Sequence, residues 1–237
     1  MQKRASSSAG LAAHPCGACR FGAASIWQPV ADGFRGVLAR SFLRRPLAAH
    51  DAVYEQGAAN DAVYCLSQGM VALRSYRADG GSALVRLVYP GDIFGFRSFL
   101  AEDGHQTEAA ALIPSRVCLV ARREARQIIT GSPQTLERIA RRCADELATA
   151  RDWQRTAVKT DNHKRLARLI VQISEGQTPD TEGLLRLPLS RQDMAAALGI
   201  EPETVSRLLG RLRTQAGLDI SGRLVDQGSL DRLRKVG

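Results

Sequence analysis

The apolar positions of this chain change period along its length, and each change marks a new element. Between about 36 and 125, short β-rich runs at 63–66, 70–76, 84–89 and 117–120 are set apart by Gly57, Gly69, Asp79-Gly80-Gly81, Pro90-Gly91-Asp92 and Asp103-Gly104. Strands of this length with turn signals about every ten residues predict an antiparallel roll or barrel. After Ser132-Pro133, an N-cap and first-turn pair, Leu136, Ile139, Cys143, Leu147, Ala150, Trp153 and Ala157 recur at steps of three and four. A helix over 133–160 would be about 40 Å long at 1.5 Å per residue, more than a small roll can cover. The uncovered stripe predicts packing on a second copy of the chain; the alternative is a helix laid wholly along its own domain.

Residues 161–237 read as mostly helical, with one helix from His163 to Ser174, a polar loop, and two more helices after Leu189. Ser190 followed by Asp193 is a capping signal, and the helix it starts ends at Leu198-Gly199. Pro202 opens a second helix running to about Gln215. Ala195 is small where two helices would cross, Gly199 permits a tight turn, and Val205 and Leu208 would pack back. This is a helix-turn-helix pattern, and 220–225 around Ser221-Gly222 predicts a β-hairpin wing. Residues 1–35, rich in Gly, Ala and Ser and without a period, predict a mobile or ligand-ordered arm. The chain therefore divides into an arm (1–35), a β-roll (36–130), a long helix (131–160) and a helical C-terminal domain (161–237).

Composition narrows the class. The 237 residues are 44% hydrophobic, enough to build cores and to exclude a wholly disordered or collagen-like chain. No run approaches the roughly 18 apolar residues of a membrane helix, and the N-terminus lacks the apolar core of a signal peptide, so a cytoplasmic protein is expected. The formal charge of +9 suits a polyanionic partner, but the excess forms no basic tail, and an Arg-rich solvated surface accounts for it equally well. No Walker loop, H-E-x-x-H or G-x-S-x-G occurs, which argues against an enzyme. Cys16-Gly17-Ala18-Cys19 could suggest a dithiol oxidoreductase, but residues 1–35 lack the βαβ frame that chemistry needs.

A roll, a long helix and a winged helix-turn-helix in this order make an α+β protein that resembles the cyclic-AMP-receptor/fumarate-nitrate-regulator (Crp/Fnr) superfamily of bacterial transcription factors. The resemblance spans nearly the whole chain. It is carried by Tyr64-Cys65-Leu66-Ser67-Gln68-Gly69, Tyr89-Pro90-Gly91-Asp92-Ile93-Phe94-Gly95, Lys164-Arg165-Leu166-Ala167-Arg168-Leu169-Ile170, and 189–199 with 203–209. It implies a cyclic-nucleotide-binding-like β-roll, a homodimer, double-stranded DNA as ligand and RNA polymerase as a further partner. Where the cyclic-nucleotide branch has a Glu and an Arg-Ser pair, this chain has Phe96 and Thr107-Glu108, so no cyclic nucleotide is expected: a phosphate would meet a carboxylate without a cation.

Gly95-Phe96 instead resembles the fumarate-nitrate-regulator branch, as does Glu203-x-x-Ser206-Arg207, similar to that branch's reader of TTGAT half-sites. The chemistry agrees: Arg207 can make two hydrogen bonds to guanine, Glu203 can accept from a cytosine amino group, and Ser206 can touch a thymine edge. Alternatively, Glu203 merely complements its helix dipole. The branch holds an oxygen-labile [4Fe-4S] cluster on three N-terminal cysteines and one in the roll, which implies Cys16, Cys19 and Cys118 as ligands. The third tail position is Ser25. Candidates for the extra ligand are Ser25, His14, a rearranged Cys65, and a carboxylate such as Asp32. Without iron, Cys16 and Cys19 would form a redox dithiol, or the protein would answer another small ligand. Cys65 and Cys143 otherwise read as packing thiols.

Overall fold

The computed structural model describes residues 14–17, 19–156, 161–175 and 177–235. A short 3₁₀ turn at Gly22–Ala24 and helix α1 (Asp32–Ser41) precede strands β1 (Phe42–Leu47), β2 (Ala52–Tyr54), β3 (Ala62–Gln68), β4 (Val71–Tyr76), β5 (Ser82–Val88) and β6 (Ile93–Phe94). Helix α2 (Phe96–Ala101), strands β7 (Glu108–Ala111) and β8 (Ser115–Ala121), and helix α3 (Arg122–Gly131) complete the roll. Then follow α4 (Pro133–Thr156), α5 (Asn162–Ser174), β9 (Leu184–Arg186), α6 (Arg191–Leu198), α7 (Pro202–Ala216), β10 (Ile220–Ser221), β11 (Leu224–Asp226) and α8 (Gln227–Arg234).

The roll is two antiparallel four-stranded sheets, ordered β1-β8-β3-β6 and β2-β7-β4-β5. Tyr64, Leu66, Phe94 and Val117 point between the sheets and meet Val71, Val88 and Ala109 there. Period-two alternation then sends Val63, Cys65 and Cys118 to the opposite, outward face. Four strands of the roll, β1, β2, β6 and β7, escaped the sequence reading. β1 contains two arginines and Pro46, tolerable because β1 lies at a sheet edge, where a missing N–H breaks no ladder. Gly95 needs its left-handed backbone, φ +74°, and a methyl there would lie 2.8 Å from the Tyr64 ring.

Two expectations are corrected. The tail from residue 14 is not a loose arm. Ile26, Trp27 and Val30 are buried beneath the outward face of the first sheet and join one core with Ile93, Ile128 and Ile139. The Ala31 N–H also donates to the Ser132 hydroxyl (3.2 Å), so that serine anchors the tail. The long helix, likewise, does not carry one stripe with one fate. Ile139 is 1% exposed within its own protomer, and Cys143 is partly buried against the same core. Leu136 (47%) and Leu147 (52%) face out, with Ala140 and Ala144 exposed between them. Positions 136, 140, 144 and 147 share one helix face, rotated away from Ile139. The side chains of Ala150 and Trp153, and all of Ala157, lie outside the described residues.

The C-terminal domain follows from its caps. Asp161 accepts from the His163 N–H to start α5. The Ser190/Asp193 capping box starts α6, and Gly199 (φ +66°) closes it in the left-handed region. Ala195, Val205 and Leu208 are buried where α6 crosses α7, and β9 pairs with the β10–β11 hairpin to make a three-stranded wing. This core is continuous with Ala72 and Leu84 of the second sheet. Arg74 of β4 adds an ion pair to Asp193 at 2.6 Å, both side chains under one-fifth exposed. Burial alone would raise the Asp193 pKa, but hydrogen bonds from Arg74 and Ser190 outweigh it and hold the carboxyl below its usual range. No helix among the described residues is long and apolar enough to cross a membrane.

Ile139→Ala is expected to lower the unfolding free energy by about 2–5 kcal/mol, the cost of emptying a filled aliphatic site. Urea denaturation measures it, and a loss below about 1 kcal/mol would show that Ile139 is not a core residue.

Candidate functional site

The tail is folded by short-range hydrogen bonds around its two cysteines. The His14 Nδ1 accepts from the Cys16 N–H (3.1 Å), which makes Nε2 the protonated nitrogen, and Nε2 donates to the Trp27 carbonyl (2.8 Å). Both ring nitrogens are therefore engaged within the tail, and His14 shapes its turn. The Cys19 N–H donates to the Cys16 carbonyl (3.0 Å). A side chain at Gly22 would collide with that same carbonyl, so only glycine lets the turn close. Ser25 is 4% exposed, and its hydroxyl oxygen accepts from the Cys16 thiol (3.4 Å) and the Trp27 N–H (3.2 Å). Arg138 of α4 clamps the loop by donating to the carbonyls of Ala23 (2.6 Å) and Ser25 (2.8 Å).

So held, the tail caps the outward face of the first sheet and encloses a cavity of about 830 Å³. Cys16, Cys19 and Ser25 come from the tail, Arg44 from β1, Cys118 from β8 and Cys65 from β3. Strand register explains the last three: Arg44 pairs with Cys118, and Cys118 pairs with Cys65, so they form one row across neighbouring strands. The sequence reading brought Cys16, Cys19 and Cys118 forward, and the fold gathers them from positions about a hundred residues apart. It took Cys65 as a packing thiol that could ligate only by rearrangement. Cys65 is only partly buried and lines the same cavity, a placement visible only once the register is known. Asp32 is absent from the lining; it sits at the start of α1, mostly exposed and paired with Arg35 at 3.1 Å. Cys143 belongs to the core under α4.

All five cysteines are free. Burial is the main cause that pushes the Cys16, Cys65 and Cys118 thiols upward. The Arg44 charge works the other way on Cys16 and Cys118, and the Arg44 guanidinium also donates to the Pro15 carbonyl at 2.6 Å. Arg20 and Arg116 join Arg44 in the lining, so the cavity is cationic and suits an anionic occupant. Its far wall includes Gln172 and Glu175 at the end of α5, in the C-terminal domain. Among the described residues no three His, Cys, Asp or Glu side chains converge closely enough for a single metal ion.

A second surface lies on α7. Glu203, Ser206 and Arg207 are all exposed on its first two turns, while Val205, Leu208, Leu209 and Leu212 are buried beneath. The Ser206 hydroxyl donates to the Pro202 carbonyl (3.2 Å) and Arg207 to the Thr204 hydroxyl (3.0 Å), interactions that a stronger acceptor can displace. The N-terminal turns of a rigidly packed second helix are the part that enters a DNA major groove.

Comparison with known proteins agrees with both halves. The cyclic nucleotide-binding domain family matches residues 44–132, and the Crp-like helix-turn-helix domain family matches 164–236. The nitrogen fixation regulation protein FixK of Rhizobium meliloti is 30% identical over 196 residues, 78% of this chain and 82% of the relative. The transcriptional activator protein FnrL of Cereibacter sphaeroides is 25% identical over 222 residues, 89% and 86% of the two chains. The solved structure of FixK2 from Bradyrhizobium japonicum superposes with a TM-score of 0.59 at 26% identity, covering 82% of this chain and 96% of that one. With a roll, a long helix and an exposed reading helix in the family's order, this chain belongs to the Crp/Fnr family of DNA-binding transcription regulators and is not an enzyme.

Proposed function

We propose that this regulator senses oxygen or redox state through a [4Fe-4S] cluster bound by Cys16, Cys19 and Cys118, and reads TTGAT-like palindromes as a homodimer. The observation that carries the sensing half is the convergence of those three cysteines on one cationic cavity. The donor set fits: thiolates are the soft, anionic ligands that iron–sulfur clusters take, and thiols spread around a cavity wall suit ligands bound to separate irons. A bound cluster supplies the oxygen-labile redox centre. The chain supplies the rest. Arg44 offsets thiolate charge, and Arg138 ties the tail loop to α4, whose exposed Leu136 and Leu147 face supports the dimer. The roll takes no cyclic nucleotide on this reading, because Phe96 is buried and Glu108, which accepts from the Tyr76 hydroxyl at 3.0 Å, would repel a phosphate. RNA polymerase is the expected further partner of a DNA-bound regulator. The second reading, a Cys16/Cys19 dithiol switch, is favoured by the single tight turn that holds both thiols.

Anaerobic reconstitution with ferrous iron and sulfide is expected to give a brown protein with absorbance near 400 nm. Ser replacements of Cys16, Cys19 or Cys118 should each abolish it, and Cys143→Ser should not. A wild-type protein that takes up no iron would leave the dithiol reading.

For DNA readout, Arg207→Ala should weaken binding to a TTGAT palindrome by about 1–3 kcal/mol and relax preference at one G·C pair per half-site. Titrations against single-base variants measure this, and an equal loss on every sequence would reduce Arg207 to a phosphate contact. For assembly, Leu136→Glu and Leu147→Glu should yield monomers in sedimentation, since each puts a charge into an apolar seam. If both variants remain dimers, the seam lies elsewhere.

A further inference from the structure

The fourth iron ligand is left open by Ser25, and the sheet itself offers one. We propose that Cys65 of β3, opposite Cys118 of β8 on the cavity floor, supplies the fourth thiolate, and that Ser25 is a positioning residue. The inference rests on the cluster reading above. Three observations carry it.

The first is register. Cys65 and Cys118 are directly paired residues of antiparallel strands, and both point to the outward face that the tail covers. Side chains of such a pair stand only about 4.5–5.5 Å apart at Cβ, so two thiols are presented side by side on a rigid element. The second is convergence: Cys65 lines the same cavity as Cys16, Cys19 and Cys118. Among the described residues its thiol makes one long hydrogen bond, 3.8 Å to the Leu66 carbonyl, so ligation would sacrifice little.

The third is the state of Ser25. Its oxygen accepts from the Trp27 N–H to close the tail turn, a bond that persists when Cys16 loses its S–H proton to bind iron and leaves the Ser25 hydroxyl free to donate to that sulfur. A neutral hydroxyl is also a hard, reluctantly ionised donor where iron–sulfur chemistry selects soft thiolate. A serine in the tail and a thiol on the sheet are thus complementary features of this one cavity. Ligation needs no redox step: the Cys65 S–H proton leaves to solvent or base as the Fe–S bond forms.

The test reconstitutes the full-length protein anaerobically with ferrous iron and sulfide, then follows iron and acid-labile sulfide content and the rate of iron release to a chelator. Cys65→Ala should release iron about tenfold faster or more, whereas Ser25→Ala should retain its iron content. Ser25→Cys should add nothing to the wild type but should restore slow release in the Cys65→Ala background. A parallel measurement on unmutated protein avoids any folding defect: cysteine alkylation mapped by mass spectrometry should find Cys65 protected when iron is bound and reactive after its removal. The proposal is overturned if Cys65→Ala releases iron as slowly as wild type, or if Cys65 is alkylated equally with and without iron. A wild type that binds no iron is a different result, which removes the cluster reading itself and this proposal with it.

Discussion

The position of the tail's cavity groups depends on how a five-residue piece, residues 26–30, is anchored. Ile26, Trp27 and Val30 insert under the outward face of the first sheet, against Ile128 and Ile139. Burying an indole removes a large apolar area from water, and replacing such a residue by alanine costs about 3–5 kcal/mol. That anchor fixes where the preceding turn begins. His14, Gly22 and Ser25 then set the path backward through Cys19 and Cys16. The cysteine loop is therefore positioned by a hydrophobic plug downstream of it, with Arg138 bracing its carbonyls from α4.

The same arrangement places three parts of the molecule within one side chain of each other. The loop that carries Cys16 and Cys19 is bonded to α4 through Arg138, and α4 presents its leucines on a different face. Arg86 of β5 pairs with Glu146 of α4 and with Asp92 (3.3 Å), so the helix is also tied to the turn after β5. Glu175 closes the cavity from α5. The cavity wall thus draws on both the tail and the C-terminal domain, and Arg138 joins that wall to the long helix.

Sequence pattern revealed the elements whose signals are local. The capping box, Gly199 and Pro202 fix both helices of the reading module, because caps and turn residues act over three or four positions. Strands with β-branched runs were equally legible, while β1 with its arginines and proline and β7 with its alanines were not, since neighbours rather than propensity hold them in the sheet. The helix stripe misled for a geometric reason: Ile139 and Leu147 are both at helical spacing, yet a stripe that wide spans an inner and an outer face. The place of Cys65 beside Cys118 was hidden for another. Its partner is 53 positions away and is set by the pairing of β3 with β8, a long-range register that no single-strand pattern records.

Asp193 has two tasks that pull against each other. It caps α6 from within the reading domain, and it also binds Arg74 of the roll. Rotating the reading domain away would leave the cap intact but strip the carboxylate of its cation and return both groups to water. At under one-fifth exposure this ion pair between the domains is screened less by salt than a surface pair would be. Domain orientation therefore carries an electrostatic contribution of its own, separate from the attraction between an Arg-rich protein and phosphate.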